Sequence, residues 1–179
     1  VEQNEFHYAD VFEHTLEVIE KTEPDEILRL SALLHDVGKP STLTIDPETG
    51  FRHFYHHEAV GTEMTRAFLS RLRFPNASIE AVAILVSTHM RPLEVGPGGM
   101  RRILRDTGDY FEEWRKLKLA DASSVKIPAD ELAERFREFD ELLEIVKQGP
   151  PVSPLKSLAI NGRDLLEMWF REGPQIGDI

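Results

Sequence analysis

Apolar residues recur at intervals of three and four along most of this chain, the spacing of buried helix faces. Val11, Phe12, Leu16 and Ile19 outline one face, and Ile27, Leu28, Leu30, Leu33 and Leu34 outline a second, opened by Pro24-Asp25 and closed by Gly38 and Pro40. Residues 41–55 break the period around Asp46-Pro47-Glu48-Thr49-Gly50, a turn signature that predicts a long loop or a short hairpin. Helices are expected again over 57–72 and 78–89. A Gly/Pro-rich loop from Pro92 to Gly99 then leads to a short helix over 100–105 and a longer one over 110–123. After Pro128, the spacing of Leu132, Phe136, Phe139, Leu143 and Val146 is that of a strongly amphipathic helix, stopped by Gly149-Pro150-Pro151. The pattern predicts an all-α bundle over 1–149 with a C-terminal extension over 150–179. That extension is expected to pack on the bundle, because Leu155, Leu158, Ile160, Leu165, Leu166, Met168, Trp169 and Phe170 are too dense for a solvated linker.

Composition narrows the function classes. The chain has 179 residues, a size suited to one core. The longest apolar run, Ala81 to Val86, is far short of a membrane span, and no targeting signal is visible at the N-terminus, so a cytoplasmic protein is expected. Zero cysteines exclude disulfides, thiolate nucleophiles and Cys-ligated metal, so any metal must be held by imidazole and carboxylate. Lys plus Arg number 21 against 32 Asp plus Glu, a net −11, which argues against general affinity for nucleic acid but leaves room for one local phosphate site.

Several ionisable residues interrupt the apolar stripes. His14 lies one turn after Val11 and one turn before Val18; His35-Asp36 follow Leu33-Leu34; His89 comes four after Leu85; Asp121 continues the stripe of Trp114 and Leu117. Singly, each reads as a hydrogen-bonded core histidine or a helix cap. Together they would leave the core with uncompensated polar groups unless a cation collects them. Adjacent helical residues diverge by about 100°, so His35 and Asp36 reach a common ion only where the helix ends and the backbone opens.

The order His14, then His35-Asp36 within Leu33-Leu34-His35-Asp36-Val37-Gly38-Lys39, then Asp121 resembles the H…HD…D pattern of the HD superfamily of metal-dependent phosphohydrolases. The resemblance implies an HD-domain helical bundle in which these four residues bind one divalent metal. It further implies that His57, in His56-His57-Glu58-Ala59-Val60-Gly61, and His89 add a second, with His56 the alternative to His57. Closer still, Tyr8 to Leu16, Arg101 to Leu104, Ala120-Asp121-Ala122 and Leu158 to Leu165 are similar to the HD domain of bacterial CCA-adding tRNA nucleotidyltransferases. Nucleotidyl transfer needs a paired carboxylate motif upstream, and this sequence contains no Asp-x-Asp. The chain is thus read either as a stand-alone relative or as a piece of a longer protein.

Asp36 is the expected bridging ligand and catalytic centre, since one carboxylate offers an oxygen to each of two ions and an imidazole does not. Mn, Ni, Co, Fe, Mg and Zn all suit oxygen and imidazole donors. Lys39 and Arg91 are candidate phosphate contacts, with a solvated charge at a helix end as the plain reading of each. Arg101 and Arg102, with Arg105 behind Gly98-Gly99, form a basic cluster expected to touch substrate, an exposed helix turn being its plain reading. The resemblance implies hydrolysis of phosphoesters of nucleotides or RNA ends, with 2′,3′-cyclic phosphate, 2′-phosphate and tRNA among the substrates. The alternative is a non-catalytic RNA-binding or regulatory module of a tRNA nucleotidyltransferase-like protein.

Overall fold

The computed structural model describes residues 10–149. The expected extension over 150–179 lies outside the described residues. The elements are α1 (Val11–Lys21), α2 (Glu26–Leu34), a single turn α3 (Lys39–Thr42), a hairpin of β1 (Thr44–Ile45) and β2 (Arg52–His53), α4 (His57–Arg71), α5 (Asn76–Thr88), α6 (Pro97–Thr107), a 3-10 turn over 108–110, α7 (Phe111–Ala122) and α8 (Ala129–Gln148). The described residues are all-α, apart from the antiparallel pairing of Thr44 with His53 and Ile45 with Arg52.

Start signals account for several boundaries. The Asp10 carboxylate accepts from Phe12 and Glu13 N–H at 2.9 and 3.0 Å, and Asp25 accepts from Leu28 N–H at 2.8 Å, each satisfying donors that a first helical turn leaves open. Pro97 sits in the first turn of α6, where its missing N–H costs nothing. The α2 helix stops at Leu34, four residues before Gly38, so His35 and Asp36 stand on the turn that leaves it.

One apolar cluster gathers Val18 of α1, Leu28 of α2, Leu85 of α5, Trp114 and Leu117 of α7 and the α8 stripe Leu132, Phe136, Phe139, Leu143 and Val146. At about 1.5–3 kcal/mol per large side chain, that stripe alone contributes roughly 8–15 kcal/mol of gross burial. A second cluster joins Leu34, Leu69, Ile79, Val82 and Val86. The Trp114 indole N–H donates to the Thr88 carbonyl at 3.0 Å, tying α7 to the end of α5. Arg115 on α7 makes a two-pronged ion pair with Asp140 on α8.

The expected face of α1 is corrected. Phe12 is 67% exposed and Leu16 46% exposed, while His14, Thr15 and Val18 are buried. The inward side of this helix is chosen by its polar residues: the Thr15 hydroxyl donates to the Val11 carbonyl, and His14 reaches a carboxylate on α7. Leu33 on α2 is likewise largely exposed.

Candidate metal centre

Five segments converge: mid-α1 with His14, the turn after α2 with His35 and Asp36, the start of α4 with His57, the end of α5 with His89, and the last turn of α7 with Asp121. All four histidines and Asp36 are buried to within a few per cent.

Three of the imidazoles are oriented by one repeated local device. Nδ1–H donates to the carbonyl three residues back: His35 to Ala32 at 2.8 Å, His57 to Phe54 at 2.8 Å, and His89 to Val86 at 2.6 Å. A carbonyl only accepts, so Nδ1 carries a proton in all three, and in the neutral ring Nε2 presents its lone pair to the centre. His35 Nε2 has no hydrogen-bond partner. His57 Nε2 and His89 Nε2 face each other at 3.2 Å. Two lone pairs at that separation repel unless a proton or a metal ion lies between them.

Asp36 stands at the middle with its oxygens divided. Oδ1 is 3.3 Å from His57 Nε2 and 3.7 Å from His89 Nε2; Oδ2 is 3.3 Å from His35 Nε2 and 3.9 Å from His14 Nε2. Two groups with metal-ligating spacing result, His14-His35-Asp36 and Asp36-His57-His89. Asp121 Oδ1 stands beside the first group, 3.0 Å from His14 Nε2 and 3.8 Å from His35 Nε2. The donor set fits divalent cations: imidazole and carboxylate only, with carbonyls holding the rings in the ligating tautomer.

The charges are strongly coupled. Burial raises the Asp36 carboxyl, but the positive charge of His35 beside it, with the imidazoles of His57 and His89 close by, outweighs that and holds the group well below the usual carboxylate range. Asp121 is lowered in the same way, burial being overcome by the His14 hydrogen bond and the charge of His35. Burial pushes the His35 imidazolium down, yet Asp36 and Asp121 raise it to about 9. His89 is lowered, chiefly by burial, and so stays neutral. Two carboxylates thus remain ionised in the interior and require positive charge beside them.

The centre opens into a cavity of about 650 Å³, bounded by the hairpin, the α4 start, the α5 and α7 ends and α8. Lys39 lines it, with Nζ 2.7 Å from Asp36 Oδ2 and 5.6 Å from the Phe54 ring centroid. Of the other expected substrate contacts, Arg91 is paired with Asp106 at 2.7 Å, and neither it nor Arg101 nor Arg102 lines this cavity. His56 is exposed in a left-handed conformation, φ 61°, so the buried neighbour of Asp36 is His57. Lys118 on α7 was not anticipated: Nζ donates to the His89 carbonyl at 2.9 Å, and burial lowers its pKa. Its position three before Asp121 on one stripe was the available signal. The aromatic residues of the hairpin, also cavity-lining, carried no periodic signal at all.

The HD domain profile matches residues 10–127, a span that contains all six clustered residues. An A-adding tRNA nucleotidyltransferase from Deinococcus radiodurans is 32% identical over 186 residues, covering 99% of this chain and 42% of that protein. A CC-adding tRNA nucleotidyltransferase from Thermus thermophilus is 34% identical over 181 residues, 98% of this chain and 40% of that protein. A multifunctional CCA protein from Legionella pneumophila is 30% identical over 99 residues, 54% of this chain and 23% of that protein. The chain spans about two fifths of the length of the first two relatives.

Proposed function

Because the chain belongs to the HD domain family, we propose that it is a metal-dependent phosphohydrolase acting on phosphoesters of nucleotides or RNA ends. The observation that carries this reading is the divided Asp36 carboxylate between two imidazole groups, with the His57 and His89 lone pairs opposed at 3.2 Å. A binding module has no use for so many inward ionisable groups.

His14, His35, Asp36 and Asp121 would hold one divalent ion, and Asp36, His57 and His89 the second. Bound there, such ions supply Lewis acidity, favouring ionisation of water and drawing charge from phosphoryl oxygens. Asp36 fixes the spacing of the two halves by placing one oxygen in each. The Nδ1–H bonds to Ala32, Phe54 and Val86 keep three rings from rotating away. Lys39 offers a buried ammonium to a phosphoryl oxygen, and Lys118 clamps the His89 backbone. In the overall reaction water adds to phosphorus, the ester P–O bond breaks, and the leaving oxygen takes up a proton.

A second reading is a non-catalytic HD module within a tRNA nucleotidyltransferase-like protein. What favours it is that the first two relatives carry nucleotidyltransferase names and are matched over two fifths of their length. Elemental analysis of the purified chain, followed by a panel of phosphomonoesters and 2′,3′-cyclic nucleotides with Mn, Ni, Co, Mg and Zn, separates the two. Stoichiometric metal with turnover of at least one ester is expected. Persistent absence of metal after supplementation would sink the hydrolase reading.

A further inference from the structure

Phe51, His53 and Tyr55, at alternate positions from the residue before the second strand into the turn before α4, form a row of neighbouring rings of which His53 and Tyr55 stack. The His53 and Tyr55 rings are 4.9 Å apart and 10° from parallel; Phe51 meets His53 at 5.0 Å and 53°. All three line the cavity that holds the histidine–aspartate centre. Tyr55 ends the row and is 66% exposed, so His53 covers one face of its ring and the other lies open to solvent. The intervening Phe54, which also lines the cavity, lies against Lys39, while its carbonyl holds His57. The ring row is thus tied to the centre through the Phe54 carbonyl, which accepts from His57 Nδ1–H.

An exposed tyrosine in water gains nothing from parallel stacking on a single histidine that it would not gain by packing inward. A planar ring ready to be extended by one more planar ring is a stacking platform, and every nucleobase has a π-face of suitable size. We propose that the open face of Tyr55 is the base subsite of this centre, so that the substrate is a nucleoside phosphoester whose base stacks on Tyr55 while its phosphate lies against Lys39 and the histidine–aspartate centre. This rests on the phosphoester reading above. It adds that affinity depends on the base and tolerates any of the four, because stacking reads the π-face rather than the hydrogen-bonding edge.

The test is equilibrium binding of AMP and of ribose 5-phosphate, which differ only in the base, to the full chain in Ca²⁺. Wild type, Tyr55→Phe and Tyr55→Ala are compared, with base hypochromism as the signature of stacking. At the usual strength of a base–aromatic stack, AMP should bind about tenfold or more tightly than ribose 5-phosphate in wild type and Tyr55→Phe. In Tyr55→Ala, AMP should weaken to the level of ribose 5-phosphate, whose own affinity stays unchanged. Equal affinity for the two ligands in wild type, no binding of AMP, or an AMP affinity unaltered in Tyr55→Ala overturns the proposal. Failure of the hydrolase reading shows differently: no ester turns over while the base preference and its loss in Tyr55→Ala remain.

Discussion

Gly38→Ala sets two physical effects against each other, and the structure decides between them. The Gly38 backbone is right-handed helical, φ −77° and ψ −20°, a conformation that alanine adopts freely. Chain entropy alone would therefore predict a gain of about 0.4–1 kcal/mol. A Cβ at this position, however, would lie 2.8 Å from Gly61 N and closer still to the His57 carbonyl oxygen, both backbone atoms of α4. Neither can swing aside as a side chain does. Even relaxing to tight contact at about 3.3 Å requires the turn after α2 and the start of α4 to part by at least about 0.5 Å, and the His57 oxygen demands more. Overpacking of this kind costs roughly 1–3 kcal/mol, which should lower Tm by roughly 2–12 °C in a domain of this size. The consequence for the centre is larger. His57 rides on α4 and Asp36 on the turn, and a 0.5 Å separation exceeds the ~0.2 Å tolerance of metal–ligand distances. We expect Gly38→Ala to fold with a lowered Tm and to lose the metal of the Asp36-His57-His89 group first. Gly61→Ala is the internal control: its Cβ meets nothing nearer than 3.4 Å, so it should be neutral or stabilising by up to about 1 kcal/mol. Melting by circular dichroism and metal analysis by mass spectrometry decide the matter. A Gly38→Ala protein with wild-type or higher Tm and full metal content would refute the steric argument.

Other outcomes follow from the same geometry. Asp36→Ala should abolish ester hydrolysis and reduce bound metal in both groups, and undiminished turnover would rule out a shared carboxylate; Lys39→Ala should retain metal while weakening turnover, which parallel metal and activity assays check. In chelated protein the folded pKa of His35, about 9, lies above its ordinary 6.5, so its contribution to stability is complete below pH 6.5 and lost as pH rises through about 9. Asp36 and Asp121 are depressed and act in the opposite sense, contributing above their ordinary value near 3.8 and ceasing to as pH falls through their lowered values. Because His35 must shed its proton to ligate, metal affinity measured by competition with a chelator should rise between pH 6.5 and 9, and a flat profile there would contradict the charge assignment. Trp114→Phe should cost about 0.5–1.5 kcal/mol in urea denaturation through loss of the indole hydrogen bond, the Thr88 carbonyl keeping its bond from Arg91 N–H; an unchanged midpoint would mean that this bond contributes nothing.

What the sequence made legible depended on whether hydrophobicity or polarity chose the buried face. In α8 the apolar stripe and the interior coincide, and all five residues of the 4-3-4-3 pattern are buried. In α1 they do not: the inward positions hold His14 and Thr15, so an apolar reading selects Phe12 and Leu16, which face out. The same inversion is what made the centre visible, since ionisable residues beside apolar stripes are anomalous only if something inside requires them. His57 was legible through family resemblance alone, because it opens a helix whose apolar pattern is weak. Lys118 was hidden as one more lysine on an acidic chain's helix. The hairpin rings were hidden because two-residue strands have too few positions to show a period of two.

The hydrogen bond between His14 and Asp121 joins residues 107 apart in the sequence. Closing a loop of that length costs about 1 kcal/mol more in chain entropy than the pairing of His57 with His89, 32 residues apart, so we expect it to form after that pairing. The complete ligand set therefore comes into existence only when the first and seventh helices have met. A cation bound by it acts as a late clasp: it has little to grip in the transition state for folding, so it should leave the folding rate nearly untouched and slow the escape from the native state. The first and seventh helices also meet through Lys21 and through Val18, Trp114 and Leu117, so a bound cation would lengthen the lifetime of a contact that forms without it.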